Sequence, residues 1–275
     1  DIFYNHKINL CLPRGINFEN GFVSYSLNEI NQLNNENLLK TEGFYLIDIA
    51  NGHMLNLVSS IKEIKLKNPK ITLMVGNIAN PETYLELSEA GADLIRVGIG
   101  NGGGCSTTVH TGIGFPMASL IQECYYKSLT INKPAKIVAD GGMQNYSDII
   151  KALALGADYV MLGNILNKSI ESSGDNYLFG KIKINHKLAT IFYDLGLPIY
   201  KKFRGMSTKE VQKKWGKETL TTSEGVVRFR KVEYRLDKWI EDFEDYLRSA
   251  MSYSDAYTLD EFIGKANIIR ISDNA

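Results

Sequence analysis

The chain has 275 residues, 44% of them hydrophobic and 23% charged, and its 31 Lys and Arg balance its 31 Asp and Glu. This composition is ordinary for a globular protein, and the zero net charge argues against bulk electrostatic binding to nucleic acid or to an anionic membrane. No apolar run reaches membrane-spanning length and no signal-peptide pattern is present. We therefore expect a cytoplasmic protein without a nucleic-acid or membrane partner.

Short apolar segments in the first two thirds of the chain predict buried parallel strands. They are Phe22–Tyr25, Phe44–Ile49, Ile71–Val75, Leu94–Ile99, Ile137–Ala139 and Tyr159–Leu162. Amphipathic segments between them predict helices near 27–39, 53–67, 80–91, 115–129 and 144–156. This alternation predicts a (β/α)8 TIM barrel or a doubly wound sheet. We favour the barrel because functional-looking residues follow nearly every strand, at the end where barrel active sites lie.

The pattern changes after Gly163. We expect a charged hairpin insertion at 171–203, a mobile polar flap at 204–234 and an amphipathic helix at 235–250. A short helix near 258–264 and a strand at Ile268–Ile271 are expected to close the chain. Since no low-complexity linker is present, we predict one catalytic barrel domain over 1–275, with the hairpin and flap at about 171–234.

The number of predicted strands falls short of a barrel, because six are found and eight are needed. Ile8–Leu12 is a poor candidate for a seventh, since Pro13 follows it and the spacing to the next strand is short. Two explanations stay open. The first one or two βα units are missing from this sequence, which opens at Asp1 without Met and fits a start inside a longer product, or a companion chain supplies them.

A glycine-dense loop at 98–104 ends at Cys105 and is followed by hydroxyl side chains. Glycine lets the backbone approach a ligand closely, because it has no Cβ. The thiol of Cys105 is therefore a candidate nucleophile, the alternative being a buried, inert cysteine. Cys11 and Cys124 are interpreted as buried thiols, because the three cysteines form no CxxC pair and no disulfide framework.

Several motifs, taken in order, resemble the barrels of the inosine-monophosphate dehydrogenase and GMP reductase family over roughly residues 22–272. They are Leu46–Gly52 for the fourth strand, Val75–Asn77 for the fifth, the Cys105 loop after the sixth, Ala139–Gly142 for the seventh, Val160–Gly163 for the eighth, and then Arg204–Ser207, Ser223–Gly225 and Leu247–Ala250. In this register the first two strands of the family barrel have no counterpart here.

Within the family, Thr111–Pro116 and Ala50–Gly52 resemble the reductase, and the Arg-Tyr pair that serves as base in the dehydrogenase is absent before Glu224. Arg204-Gly205-Met206 is dehydrogenase-like. The resemblance implies NADPH-dependent reductive deamination of GMP, or a related guanine nucleotide, to IMP, in a homo-oligomer of tetrameric form. The alternatives are NAD-dependent oxidation of IMP to XMP, and a non-catalytic or partner-dependent purine-nucleotide-binding subunit.

The resemblance also implies roles for individual residues. Cys105 would attack C2 of the purine, while Thr107 and Glu224 would protonate the leaving ammonia, since an amine departs well only when protonated. Substrate would be bound by Asp140 at the ribose, by Gly103, Gly141, Gly142 and Gly163 at the phosphate, and by Gly205, Met206 and Ser207 at the base. Without the resemblance, Asp140 is equally a cap for the helix near 146, and Glu224 is a solvated flap carboxylate.

The cofactor side would be lined by Asp48, Ala50, Asn77 and Thr108, with strand-end capping as the alternative for Asp48 and Asn77. The backbone carbonyls of Gly100, Gly102 and Cys105 would form a potassium site.

The residues that depart from the family pattern are ones expected to bind phosphate and cofactor, more than ones expected to take part in the chemistry of the thiol. The family loop usually reads Gly-Pro-Gly-Ser-x-Cys, whereas here Gly103 replaces the phosphate-binding serine and Asn164 replaces a phosphate glycine. Val226 occupies the position of a lysine in the reductase, and Thr221 occupies the position of an arginine. The paired glycines that precede Leu247 in the family are absent. A weakened enzyme, an altered nucleotide and a binding protein without turnover all fit these changes, although the retained Cys105, Thr107 and Glu224 argue against simple decay.

Overall fold

A parallel seven-stranded sheet forms most of a barrel wall in the computed structural model, which describes residues 8–16, 21–103, 105–204, 227–267 and 269. Its strands follow one another in chain order: β1 (Leu10–Leu12), β2 (Gly21–Tyr25), β3 (Phe44–Asp48), β4 (Thr72–Ile78), β5 (Leu94–Val97), β6 (Lys136–Asp140) and β7 (Tyr159–Met161). All six predicted strands are present within a few residues of the predicted bounds. The predicted α/β class and barrel-type parallel sheet are confirmed.

The first strand corrects one expectation. Leu10–Leu12 is a strand, parallel to β2 with Leu10 opposite Gly21, so the sheet of the described residues is one strand short of eight and not two. Pro13 is compatible with β1 because it follows the last paired residue and supplies no bond to the ladder. The link to β2, residues 13–20, is nevertheless shorter than an ordinary helical crossover.

Six helices follow the strands: α1 (Leu27–Asn35), α2 (Leu55–Lys67), α3 (Pro81–Glu89), α4 (Thr107–Thr111), α5 (Met117–Ser128) and α6 (Tyr146–Ala154). Local chemistry fixes their starts: Ser26 and Glu29 form a capping box, Asn80 caps α3 ahead of Pro81, and Asn145 caps α6. Asp140 is therefore not the cap of this last helix, because Asn145 accepts the Asp148 N–H.

The two faces of the sheet are chemically different. Alternate residues such as Ile47, Val75 and Ile95 pack outward against the helices in the main core. The inner face carries an apolar cluster of Phe22, Leu46, Met74 and Val138. Because side chains two residues apart share a face, the inner positions nearer the strand ends are Ser24, Asp48, Arg96 and Asp140. The fold thereby gathers charged side chains at the carboxyl ends of the strands.

A second, antiparallel sheet follows the barrel wall. Its order is β11 (Val227–Lys231), β10 (Ile199–Arg204), β8 (Asn176–Leu178) and β9 (Ile182–Ile184). The range 171–203, predicted as a hairpin insertion, contains the antiparallel pair of β8 and β9 together with helix α7 (His186–Asp194) and β10. Within the range predicted as a flap, residues 227–231 pair with β10, and Val232 shares a buried cluster with Ile199 and Ala189. The flap itself stays a prediction. Residues 205–226 lie outside the described part.

The chain continues in α8 (Leu236–Tyr253) and α9 (Leu259–Phe262), as predicted. Trp239 and Ile240 of α8 pack against Ile149 and Leu153 of α6, which joins α8 to the barrel wall. The predicted strand Ile268–Ile271 lies outside the described residues apart from Ile269. Among the helices of the described ranges, none combines the length and the hydropathy that crossing a membrane requires. The assignment of all 275 residues to one domain stays a prediction.

Candidate active site

Arg96 joins two carboxylates at the carboxyl ends of the strands. Its Nη1 donates to Asp48 Oδ1 at 2.9 Å, and its Nη2 donates to Asp140 Oδ2 at 2.7 Å. The amide of Asn77 donates to the same Asp140 oxygen at 2.7 Å and to the Gly98 carbonyl at 2.8 Å. Strands β3 to β6 are therefore tied together by the side chains predicted to bind ribose and cofactor, and strand-end capping does not account for Asp48 or Asn77.

The sequence reasoning missed Arg96, although it stands in a strand that was otherwise apolar. Burial lowers the pKa of its guanidinium, but the Asp140 and Asp48 carboxylates raise it more, so the net pKa lies above the ordinary value. Its Nε is buried and has no hydrogen-bond partner in the described structure. A charged residue at an inward position of a buried strand is the signal that could have identified it.

Gly76 makes room for the Arg96 side chain. Its φ is +157°, and a Cβ at this position would lie 2.5 Å from Arg96 Cβ and 2.7 Å from Arg96 O. Such an approach is possible only for glycine. The Val75-Gly76-Asn77 motif therefore has a local cause: Gly76 admits the arginine that forms ion pairs with Asp48 and Asp140.

The turn after β3 is held to the end of β4 by His53, a second residue that sequence reasoning missed. His53 Nε2 accepts the Ala79 N–H at 3.2 Å, so the ring proton lies on Nδ1, which donates to Thr83 Oγ1 at 2.8 Å. Burial lowers the pKa of His53 and favours this neutral form. These two hydrogen bonds of His53 support the stretch of β4 that carries Asn77.

Cys105 and Thr107, two of the three residues predicted to be catalytic, lie in contact. Cys105 Sγ is 3.1 Å from Thr107 Oγ1, and the Cys105 N–H donates to the Gly102 carbonyl at 2.9 Å, closing a tight turn. The thiol is half-buried. Glu224, Gly205, Met206 and Ser207 lie outside the described residues, so the acid and the base contacts predicted for them stay predictions.

The other two cysteines differ from each other. Cys124 is buried, as expected, and burial raises the pKa of its thiol to about 12, which makes it a poor nucleophile. The expectation that Cys11 is buried is wrong. Cys11 is exposed, on a strand that pairs only with β2 among the described residues.

The glycine loops after β5, β6 and β7 meet at one place. A Cβ on Gly141 would lie 2.8 Å from Gly102 N, and a Cβ on Gly103 would lie 3.7 Å from Asn164 Nδ2. The N–H groups of Gly103, Gly141, Gly142 and Gly163 have no hydrogen-bond partner in the described parts of the chain. N–H groups that are left free in neighbouring loops can donate hydrogen bonds to an anion.

Thr108 and Ala50 were predicted to line the cofactor side, and the structure places them differently from each other. Thr108 Oγ1 donates to the Ile113 carbonyl at 2.8 Å and packs against Gly100, where a Cβ would be 1.8 Å from that oxygen. The Thr108 hydroxyl therefore holds the loop, while Ala50 is exposed just after β3. Among the carbonyls predicted to bind potassium, Gly102 O already accepts the Cys105 N–H.

Comparison with known proteins supports the resemblance drawn from these motifs. The sequence model of one family, described as "IMP dehydrogenase / GMP reductase domain", matches residues 29–275. GMP reductase of Phytophthora infestans is 35% identical over 233 residues, 83% of this chain and 59% of that protein. Inosine-5'-monophosphate dehydrogenase of Cryptosporidium parvum is 32% identical over 254 residues, 88% of this chain and 59% of that protein. The chain thus spans about three fifths of the length of these relatives.

A solved structure agrees with the sequence comparisons. The crystal structure of a cysteine-to-alanine variant of GMP reductase from Trypanosoma brucei, in complex with guanosine 5'-monophosphate, superposes with a TM-score of 0.74 at 25% identity. The match covers 92% of this chain and 50% of that chain.

Proposed function

The chain belongs to the IMP dehydrogenase / GMP reductase family, and from this premise we propose that it carries out NADPH-dependent reductive deamination of GMP to IMP. One observation carries the proposal. The Cys105–Thr107 pair lies at the same edge of the sheet as the Asp140 carboxylate and the free N–H groups of the glycine loops. A site for a nucleoside monophosphate in this reaction requires three groups: a thiol to attack the purine, a carboxylate to accept hydrogen bonds from the ribose hydroxyls, and N–H donors to bind the phosphate.

Nucleotide binding would use the two ends of this site. Asp140 keeps acceptor capacity beyond its bonds to Arg96 and Asn77, so its carboxylate can accept hydrogen bonds from ribose hydroxyls. The N–H groups of Gly103, Gly141, Gly142 and Gly163 would receive the phosphate oxygens. Gly205, Met206 and Ser207 would contact the base through their backbone, as the family resemblance implies.

Catalysis would begin when the Cys105 thiolate forms a bond to C2 of the purine. The C2–N bond then breaks, and the amine leaves as ammonia after receiving a proton through Thr107 and Glu224. NADPH, when bound, supplies the hydride that replaces the amine at C2. The C2–S bond finally breaks with both electrons returning to sulfur, so the balance is GMP, NADPH and two protons to IMP, NADP⁺ and ammonium.

The cofactor would lie on the side of Asp48, Ala50 and Asn77. These residues fit an amide-bearing ring, because the Asp48 carboxylate keeps acceptor capacity beyond its bond to Arg96 and can accept hydrogen bonds from an amide. Potassium at the carbonyls of Gly100, Gly102 and Cys105 belongs to the same proposal, since carbonyl oxygens can replace the hydration shell of that ion.

Two alternatives each have an observation in their favour. The similarity to the Cryptosporidium parvum dehydrogenase over 88% of this chain favours NAD-dependent oxidation of IMP to XMP. The seven-stranded sheet favours a partner-dependent subunit, because the edges of β1 and β7 are not paired with each other in the described residues. A companion chain, or another copy in a tetramer, would cover these edges.

Cofactor absorbance separates these functions. Purified protein is mixed with GMP and NADPH, or with IMP and NAD, and its mass is checked for a second chain. GMP-dependent consumption of NADPH supports the proposal, whereas NADH formation with IMP replaces it with the dehydrogenase reaction. No absorbance change in either mixture, with nucleotide still bound, favours the partner-dependent subunit.

A further inference from the structure

We infer that one face of the second, antiparallel sheet binds single-stranded nucleic acid, with bases stacked on aromatic rings and phosphates held by lysines. This inference goes beyond the proposed function and does not depend on it, because no residue of this face has a role in the proposed reaction. We call it the aromatic face, and its side chains are those of Tyr177, Tyr200, Phe229, Lys183, Lys202 and Lys231.

The strand register brings these residues to one face. Tyr200 of β10 is paired with Tyr177 of β8 on one side and with Lys231 of β11 on the other. Lys202, two residues further along β10, is paired with Phe229. Directly paired residues share a face of a sheet, and so do residues two apart on one strand. The rings of Tyr177 and Phe229 agree with this assignment, because their centroids lie 5.1 Å apart.

The opposite face of the sheet packs against helix α7. Ile199 and Leu178, which alternate with the residues of the aromatic face, belong to a cluster that includes the buried Ala189 of that helix. On the aromatic face, by contrast, Phe229 is 50% exposed and the Lys183 side chain is 63% exposed. A group of exposed aromatic rings, unlike a single exposed apolar residue, indicates a surface that contacts a ligand.

The aromatic rings fit single-stranded nucleic acid. Unpaired bases stack on aromatic side chains, and one class of RNA-binding domain stacks two or three bases on the rings of a four-stranded sheet. The exposed ring here is Phe229, with the half-buried Tyr177 and Tyr200 beside it. The bases of a duplex are already stacked on one another, so a duplex would offer these rings nothing to stack on.

The charge of the sheet complements a phosphate backbone. Its four strands contain seven Lys or Arg, one in β9 and three each in β10 and β11, and no Asp or Glu. Lys231 is exposed and makes no ion pair with any residue that the structure describes, whereas Lys183 Nζ lies 2.9 Å from Asp175. The zero net charge of the whole chain argues against binding over the entire surface, but it is compatible with this local excess of positive charge.

Fluorescence anisotropy tests the inference. Labelled oligothymidine and oligouridine of about 12 nucleotides are added to the protein at about 50 mM and about 200 mM salt. Excess GMP is included in a parallel series to compete for the cleft at the strand ends. We expect both oligonucleotides to bind with or without GMP, and to bind more weakly at the higher salt concentration.

Matched variants locate the binding on the aromatic face. We expect Phe229→Ala to weaken binding about tenfold, because a stacked base is lost, and Phe229→Trp to retain it. Tyr253→Ala, which removes an exposed ring at the end of α8, should leave binding unchanged. Lys231→Gln should reduce the slope of log affinity against log salt by about 0.7, whereas Lys62→Gln on the exposed side of α2 should not alter it.

Other outcomes overturn the inference in distinguishable ways. Failure of both oligonucleotides to bind at the lower salt, or equal affinity of Phe229→Ala and the unmodified protein, would exclude base stacking on this face. Displacement by GMP would place the oligonucleotide in the cleft. Equal binding of oligoglutamate of the same charge would make the face a surface for acidic protein segments. Self-association that Phe229→Ala abolishes, without oligonucleotide binding, would make it a contact between copies of the chain.

Discussion

Arg96 donates a 2.7 Å hydrogen bond to Asp140 across the neighbouring strands β5 and β6. The same guanidinium holds Asp48, so both carboxylates are oriented before any ligand arrives. Side chains that are fixed in this way lose little freedom on binding, which is the condition for a preorganised site.

Replacing Arg96 by Met is expected to lower the free energy of unfolding by about 3–5 kcal/mol, because two partly buried carboxylates lose their counter-charge. Denaturant titration measures this change. Arg96→Lys keeps the charge but not the two-pronged geometry, so we expect an intermediate loss. Equal stability of Arg96→Met and the unmodified protein would contradict a structural role for the network.

Replacing Cys105 by Ala is expected to reduce turnover at least about a thousandfold, because the covalent step needs the sulfur nucleophile. GMP binding, followed by calorimetry, is expected to persist. Cys124→Ala is the matched control, since that thiol packs in the core cluster and has no part in the proposed chemistry. Turnover that survives in the Cys105 variant would rule out the covalent mechanism.

Replacing Gly76 by Ala is expected to destabilise the fold by at least about 2 kcal/mol, because the new Cβ meets Arg96 as well as an unfavourable φ. Gly196→Ala is the control: its φ is +80°, yet a Cβ there has nothing within 4 Å. The control reports backbone strain alone, of about 1 kcal/mol. Similar thermal unfolding of both variants would show that the approach to Arg96 is not what requires glycine.

Lys201 gives a pH-dependent prediction. Its side chain is fully buried in the second sheet, where Nζ donates to the Ser172 carbonyl, and burial lowers its pKa to about 8. Between pH 8 and the ordinary lysine pKa, the unfolded chain binds more protons than the folded protein. Stability should therefore rise with pH across this window, by at most about 3 kcal/mol.

Denaturant titrations from pH 7 to about pH 10 measure the rise, with Lys201→Met as the comparison. Methionine does not titrate, so the part of the rise that comes from Lys201 should disappear in that variant. An identical pH profile in the two proteins would assign the rise to other groups.

The parts of the fold that depend on local patterns could be predicted from the sequence. Apolar runs and punctuation by Pro81, Gly91 and Gly156 located six strands and five of the helices between them within a few residues, but not α4. The sequence argues against strand β1 because Pro13 is a strand breaker, but Pro13 falls just past the end of the strand. The sequence does not predict helix α7, because its charged flanks favour a hairpin. The burial of Ala189 in this helix depends on Ile199 and on Val232, and Val232 lies far along the chain.

Within the site, the residues adjacent to strand ends could be located, but their pairing could not. The bonds from Arg96 to Asp48 and Asp140 depend on which strands are neighbours and on the room left by Gly76. The hydrogen bonds of His53 to Ala79 and Thr83 likewise depend on a contact between two loops. Such relations arise from three-dimensional register, which a single sequence does not contain.

The charge arrangement around Arg96 also gives the cleft a polarity. One guanidinium between two carboxylates leaves an excess of one negative charge at the Asp48–Asp140 end, whereas the glycine loops carry backbone N–H groups without a hydrogen-bond partner in the described residues. A molecule with an anionic tail is repelled from the first end and attracted to the second. The cleft would therefore set the direction in which a nucleotide enters before any contact reads its base.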